Sequence, residues 1–157
     1  MFKRLKQSLL GAALALGTVT GATAAGVSAT EIVLGTHLDL SGPVAAGMPS
    51  IRNGMQMRLD EANDAGGVNG RKFRIVVEDN GSQPQMAVRA IDKLLRKDEV
   101  FAIVNPFGSG TNAAVVKRAV DEGTIYFAPW GASSIFRKTA GDSPLLFTAT
   151  PDRKSVV

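Results

Sequence analysis

Along residues 31–148, apolar positions switch back and forth between short unbroken runs and a helical repeat. The run Ile32-Val33-Leu34 predicts a strand over 31–38, closed by the turn residues Ser41-Gly42-Pro43. Ile51, Met55, Leu59 and Ala62 then recur at helical spacing and predict a first helix over about 49–65. Gly66-Gly67-Val68-Asn69-Gly70 ends it, because glycine readily adopts the left-handed conformation that stops a helix. A second strand is expected over 73–78 around Ile75-Val76-Val77. Pro84 suits the first turn of a second helix, whose apolar face is Met86, Ala87, Ala90, Ile91, Leu94 and Leu95. Lys93, Arg96 and Lys97 fall outside that face and read as solvated. A third strand is expected over 101–104. A third helix follows Ser109 and Thr111, with Ala113, Val116, Ala119 and Val120 inward and Gly123 past its end. Strands over 124–128 and 145–148 complete the pattern.

Strands that alternate with helices and are apolar throughout predict an α/β fold with a parallel sheet covered on both faces. Short right-handed crossovers make it a doubly wound sheet, here of order 2-1-3-4-5. Ligands of such sheets bind beyond the carboxyl ends of the strands where the order reverses, here between strands 1 and 3. The loops that reach this crevice are 39–47, 105–111 and 129–134, all rich in Gly, Ser or Thr.

The first 30 residues add a different signal. Met1-Phe2-Lys3-Arg4-Leu5-Lys6 is basic, residues 9–25 are apolar but diluted by Gly and Thr, and two small-residue exits follow, Ala22-Thr23-Ala24 and Val27-Ser28-Ala29. This is the layout of a secretory signal peptide over 1–29, cleaved near 24–29, and the run is too short and diluted for a membrane anchor. The chain has 18 basic and 14 acidic residues, net +4; loss of Lys3, Arg4 and Lys6 leaves 15 against 14. No basic stripe interleaved with aromatics points to nucleic acid. With no cysteine there is no disulfide, thiolate site or lipid-modified Cys, and a single His37 cannot make a histidine metal cluster.

The candidate chemistry sits in two loops. Gly108-Ser109-Gly110-Thr111 leads from a strand into a helix, where unpaired backbone N–H groups suit a carboxylate or phosphate. An ordinary Ser/Thr cap accounts for the same residues. Pro129-Trp130-Gly131-Ala132-Ser133-Ser134 repeats the theme, with backbone exposed at Gly131 and Ala132 and a hydroxyl at Ser133. Trp130 reads as packing or a pocket wall. His37 reads as structural. Asp39 and Asp79 suit turn capping, or the acidic pocket of a phospho-receiver domain. There is no G-x-G-x-x-G after the first strand, no G-x-x-x-x-G-K-[ST], no G-x-S-x-G and no triad around the only histidine, so an enzyme is not expected.

Residues 60–80 read DEANDAGGVNGRKFRIVVEDN, residues 40–45 LSGPVA, residues 108–112 GSGTN and residues 131–133 GAS. In this order and spacing they resemble the branched-chain amino acid-binding, type I periplasmic binding protein family, with Ala62-Asn63 where Ile-Asn is usual. The resemblance spans about residues 31–151. It implies an extracytoplasmic, monomeric solute-binding component of an ABC importer, which docks on a membrane permease and needs no cofactor. Its first lobe, here 30–150, would hold an amino acid's carboxylate and ammonium groups. By match to the family motifs Ser109 meets the carboxylate and Thr111 is the second hydroxyl of that loop. Gly131, with Ala132 beside it, gives main-chain contacts, and Ser133 gives a hydroxyl. Leucine-binding members carry an aromatic residue after the SGP turn; Ala45-Ala46-Gly47 stands here, which widens the expected solute to other amino acids and small amides. The family's chains are more than twice as long, so 151–157 is expected to begin the crossover to a second lobe, and this fragment alone to bind weakly. A ligand-sensing domain of the same fold without transport is the alternative.

Overall fold

The computed structural model describes residues 24–131 and 133–149, so the basic and apolar leader up to residue 23, Ala132 and the expected crossover at 151–157 lie outside the described residues. Five strands form one parallel sheet: β1 (Glu31–Leu38), β2 (Lys72–Asp79), β3 (Ala102–Val104), β4 (Ile125–Phe127) and β5 (Leu146–Phe147). Their order is β2-β1-β3-β4-β5, the doubly wound order expected from the sequence. Four helices connect them: α1 (Met48–Asp64), α2 (Pro84–Arg96), α3 (Ser109–Asp121) and α4 (Ser133–Ala140). A turn of 3-10 helix at Ala45–Gly47 leads into α1. Among the described residues, no helix is long and apolar enough to cross a membrane.

The core follows from the period-two alternation of β1. Val33 points to one face and packs with Ile91 and Leu94 of α2, Val115, Val116 and Ala119 of α3, and Phe136 of α4. Ile32 and Leu34 point to the other face, towards Leu59 of α1. The strand is buried along nearly its whole length: its apolar run Ile32-Val33-Leu34 is covered on both faces, and the polar Thr36 and His37 beyond it are buried too.

The two faces are not equally covered. The expectation of a sheet covered on both faces holds for α2, α3 and α4 on one side. On the other, only α1 is present among the described residues, and it lies over the β2 half. Phe127 and Phe147 are therefore 51% and 48% exposed, their rings 6.4 Å apart. A groove of about 490 Å³, lined by Leu34, Ile51, Met55, Val104, Phe127 and Trp130, runs between α1 and these open strands.

The connection from α1 to β2 explains the Gly-Gly-Val-Asn-Gly sequence. Gly67 has φ +71°, and a Cβ there would overlap the Arg71 carbonyl, so only glycine fits the tight return. Asn63, in the last turn of α1, pairs with both backbone groups of Phe73: Nδ2 donates to the carbonyl at 2.9 Å and Oδ1 accepts the N–H at 2.7 Å. It thus stands in for a neighbouring strand at the edge of the sheet. α4 has no counterpart in the hydrophobic pattern. It is eight residues long, and Phe136, buried in the core, is its main anchor.

Candidate functional site

β1 lies between β2 and β3, so the chain winds away from it in both directions and leaves a crevice at the carboxyl ends of β1 and β3. Three loops frame it, and each is locked by its own hydrogen bonds. In the first, Asp39 is fully buried and its carboxylate accepts from Gly42 N–H at 2.5 Å, Val44 N–H at 3.0 Å and the Ser82 hydroxyl at 2.6 Å. Asp79, at the end of β2, accepts from Leu40 N–H and Gly81 N–H, each at 2.8 Å. Burial alone would raise the Asp79 pKa, but the hydrogen bonds from Ser41, Gly81 and Leu40 outweigh it and hold the carboxyl below its usual value. Both aspartates therefore cap turns, and neither is an open acceptor for chemistry.

The second and third loops are stitched to each other. Trp130 N–H donates to the Pro106 carbonyl at 2.8 Å, and Gly108 N–H donates back to the Trp130 carbonyl at 3.0 Å. Phe107 N–H donates to the His37 carbonyl at 2.9 Å, tying the pair to β1. The Phe107 and Trp130 rings meet edge to face with centroids 5.4 Å apart. Sharp turns make this possible: Asn105 and Ala128, just past β3 and β4, have φ +46° and +51°.

α3 begins at Ser109 after Gly108, and no side chain caps its end. The first intrahelical bond is Asn112 N–H to the Gly108 carbonyl at 2.9 Å, so the N–H groups of the first turn precede the ladder. This corrects the ordinary cap reading of the loop. Gly108 stands at the cap position with φ +105°, and a Cβ there would overlap the Thr111 hydroxyl. Thr111 is buried, and its Oγ1 lies 2.6 Å from the Phe107 carbonyl and 3.1 Å from that of Gly108. Its proton serves the loop backbone.

Ser109 and Gly131, drawn from different loops, are brought together: a Cβ on Gly131 would lie 2.8 Å from the Ser109 Oγ. Ser133 opens α4 two residues further on. Among the described residues, no group of three His, Cys, Asp or Glu side chains is placed to hold a metal ion.

Beneath the loops lies a buried polar chain that the sequence reading did not assemble. His37 is fully buried, with Nδ1 at 2.9 Å from the Asn80 Nδ2 and Nε2 at 3.1 Å from the Tyr126 hydroxyl. Tyr126 donates to the Asn112 Oδ1 at 2.8 Å, and Asn112 Nδ2 donates to the Pro106 carbonyl at 3.0 Å. Burial depresses the His37 pKa to about 3 and raises that of Tyr126 well above its ordinary value, so both are neutral. Four polar residues at four strand or helix ends gave no pattern in one dimension.

The comparisons with known proteins agree with this architecture. Residues 31–156 match the family model described as periplasmic binding protein. The Leu/Ile/Val-binding protein BraC3 of Rhizobium johnstonii is 31% identical over 99 residues, 63% of this chain and 27% of that protein. The solved structure of the branched-chain amino acid transporter substrate binding protein LivJ from Streptococcus pneumoniae, in complex with isoleucine, matches with a TM-score of 0.70. It is 30% identical and covers 78% of this chain and 34% of that one. The fatty acid ABC transporter substrate-binding protein from Thermomonospora curvata matches with a TM-score of 0.63 at 32% identity, covering 70% of this chain and 28% of that one. The chain spans between 27% and 34% of the length of these relatives.

Proposed function

This chain belongs to the periplasmic binding protein family, and from that premise we propose that it supplies the first solute-gripping lobe of an extracytoplasmic receptor for an ABC importer. The solute class is a branched-chain or other amino acid or a small amide, and the solute's carboxylate or amide oxygen lies at the first turn of α3. The observation that carries this reading is the joining of the 105–108 and 128–131 loops. Two reciprocal backbone bonds hold Ser109 beside Gly131 at the carboxyl ends of the strands. The partial positive charge at the N-terminus of α3 suits an anionic oxygen, and Ser109, the first residue of that helix, carries a hydroxyl beside it. The match to the family motifs adds Ala132 and Ser133 to the proposed contacts.

Two relatives sharpen the solute class. One was solved in complex with isoleucine, and another is a fatty acid ABC transporter substrate-binding protein. Both solutes present a carboxylate on an apolar body. The helix N-terminus at Ser109 suits the carboxylate, and the neighbouring Phe107 and Trp130 rings suit the apolar body. Export by the leader and docking on a permease belong to the same proposal.

The test is an NMR titration of the 157-residue chain with L-isoleucine, with glucose as the control. Hydroxyl and amide contacts from one open lobe net about 0.5–1.5 kcal/mol each, so a millimolar constant is expected. The amides of Gly108, Ser109, Gly110 and Gly131 should shift with isoleucine and not with glucose. No localised shift at saturating isoleucine, or shifts centred elsewhere, would overturn the assignment.

A further inference from the structure

We infer that His37 is a positioning residue for the solute site: through Tyr126 and Asn112 it sets the spacing of the two loops that carry Ser109 and Gly131. The inference rests on the reading of those loops as the site, but its basis is the polar chain beneath them.

The direction of every proton in that chain follows from one fixed donor. Ser82 N–H lies 2.8 Å from the Asn80 side-chain oxygen, and a backbone N–H can only donate. The other end of the Asn80 amide is therefore the NH₂ group. One of its protons goes to His37 Nδ1 at 2.9 Å and the other to the Phe107 carbonyl at 3.0 Å. His37 Nδ1 is thus an acceptor, and the neutral ring carries its proton on Nε2. That proton goes to the Tyr126 oxygen, and the Tyr126 proton passes on to Asn112 Oδ1. The Asn112 NH₂ then holds the Pro106 carbonyl at 3.0 Å and the Trp130 carbonyl at 3.4 Å.

Each terminus of the chain is a backbone group of a site loop: Phe107 at one end, Pro106 and Trp130 at the other. The same three residues carry the cross-loop bonds and the ring contact described above. All four side chains are fully buried, so a lost partner is not replaced by bulk water. Among the described residues, the nearby charged groups are engaged elsewhere. Just past β1, Asp39 is taken by Gly42, Val44 and Ser82; on β2, Glu78, opposite His37 in register, is paired with Lys93 of α2. On β2 as well, Asp79 is held by Leu40 and Gly81, and the inward residues of α3 beside Asn112 are apolar.

The experiment uses the full chain and two measurements. In the unaltered protein, the ring nitrogen shifts of His37 should report a proton on Nε2; a proton on Nδ1 would overturn the inference without any variant. In Tyr126→Phe, which keeps the ring volume, amide exchange of Gly108 and Trp130 should accelerate about tenfold more than that of the α2 amides, as loss of one buried hydrogen bond predicts. Uniform acceleration of all amides would mark Tyr126 as merely structural and overturn the inference, as would unchanged exchange. Addition of isoleucine to the unaltered protein separates the two claims. Loosened loops without an isoleucine response leave the positioning role standing and remove the solute assignment.

Discussion

Gly131 faces Ser109 so closely that a methyl group at position 131 would sit 2.8 Å from the Ser109 Oγ and 3.0 Å from its Cα. It would also press on the Phe136 ring at 2.9 Å. Gly131→Ala must therefore displace the hydroxyl or the loop. The expected result is about tenfold weaker isoleucine binding, read as loss of the titration shift at Ser109, with a stability cost of about 1–3 kcal/mol from overpacking. A variant that binds as before would show that the contact is slack.

The pH dependence of stability should carry the signature of His37. Its folded pKa is depressed from 6.5 to about 3, so the unfolded chain binds the proton first as pH falls. Stability from this group is complete above the unfolded pKa and is lost between about pH 6.5 and pH 3. Between pH 7.5 and pH 5 the loss amounts to about 2 kcal/mol. Urea unfolding at the two pH values checks this, and His37→Gln should flatten that part of the profile.

Asn63 bonds both backbone groups of Phe73, so Asn63→Ala leaves an N–H and a carbonyl of the edge strand without a protein partner. The expected cost is about 1–2 kcal/mol, since these groups are only part-buried and water recovers some of the loss. A denaturation midpoint unchanged within error would mean that the pairing contributes nothing.

The two small-residue exits of the leader differ in what cleavage would remove. The Gly26 carbonyl accepts the Val33 N–H at 2.7 Å, Val27 bridges Ile32, and the Ser28 hydroxyl accepts the Glu31 N–H at 2.9 Å. A Cβ on Gly26 would overlap the backbone of Phe101, so this turn is closely fitted to β3. Cleavage after Ala24 preserves all of these contacts, and cleavage after Ala29 destroys them. Export by a cleaved leader, as proposed, predicts a mature N-terminus at Ala25, as N-terminal sequencing would show; a start at Thr30 would refute the choice.

The sheet and its order were legible because β1 and β3 are apolar runs bounded by turn residues, and α2 carries a clear stripe of Ala87, Ile91 and Leu94. α4 was not, because eight residues give the pattern two turns and only Phe136 is fully buried. The loops of the site were legible as glycine and hydroxyl clusters. The function of Thr111 within its loop was not, because a hydroxyl that turns back to a carbonyl looks the same in sequence as one that faces a ligand. The polar chain through His37 was invisible for another reason. Its members lie 43 and 89 residues apart, and only the topology of the sheet brings them together.

That separation divides the labour between two sets of residues. Ser109 and Gly131 meet the crevice, while His37, Asn80, Asn112 and Tyr126 hold the ground under it and never leave the interior. On the proposed reading, changes in the first set would retune which solute is preferred without disturbing the foundation, and a change in the second would alter every solute's grip at once. A lineage built on this lobe would then diversify its diet at the rim while its interior stays under constraint.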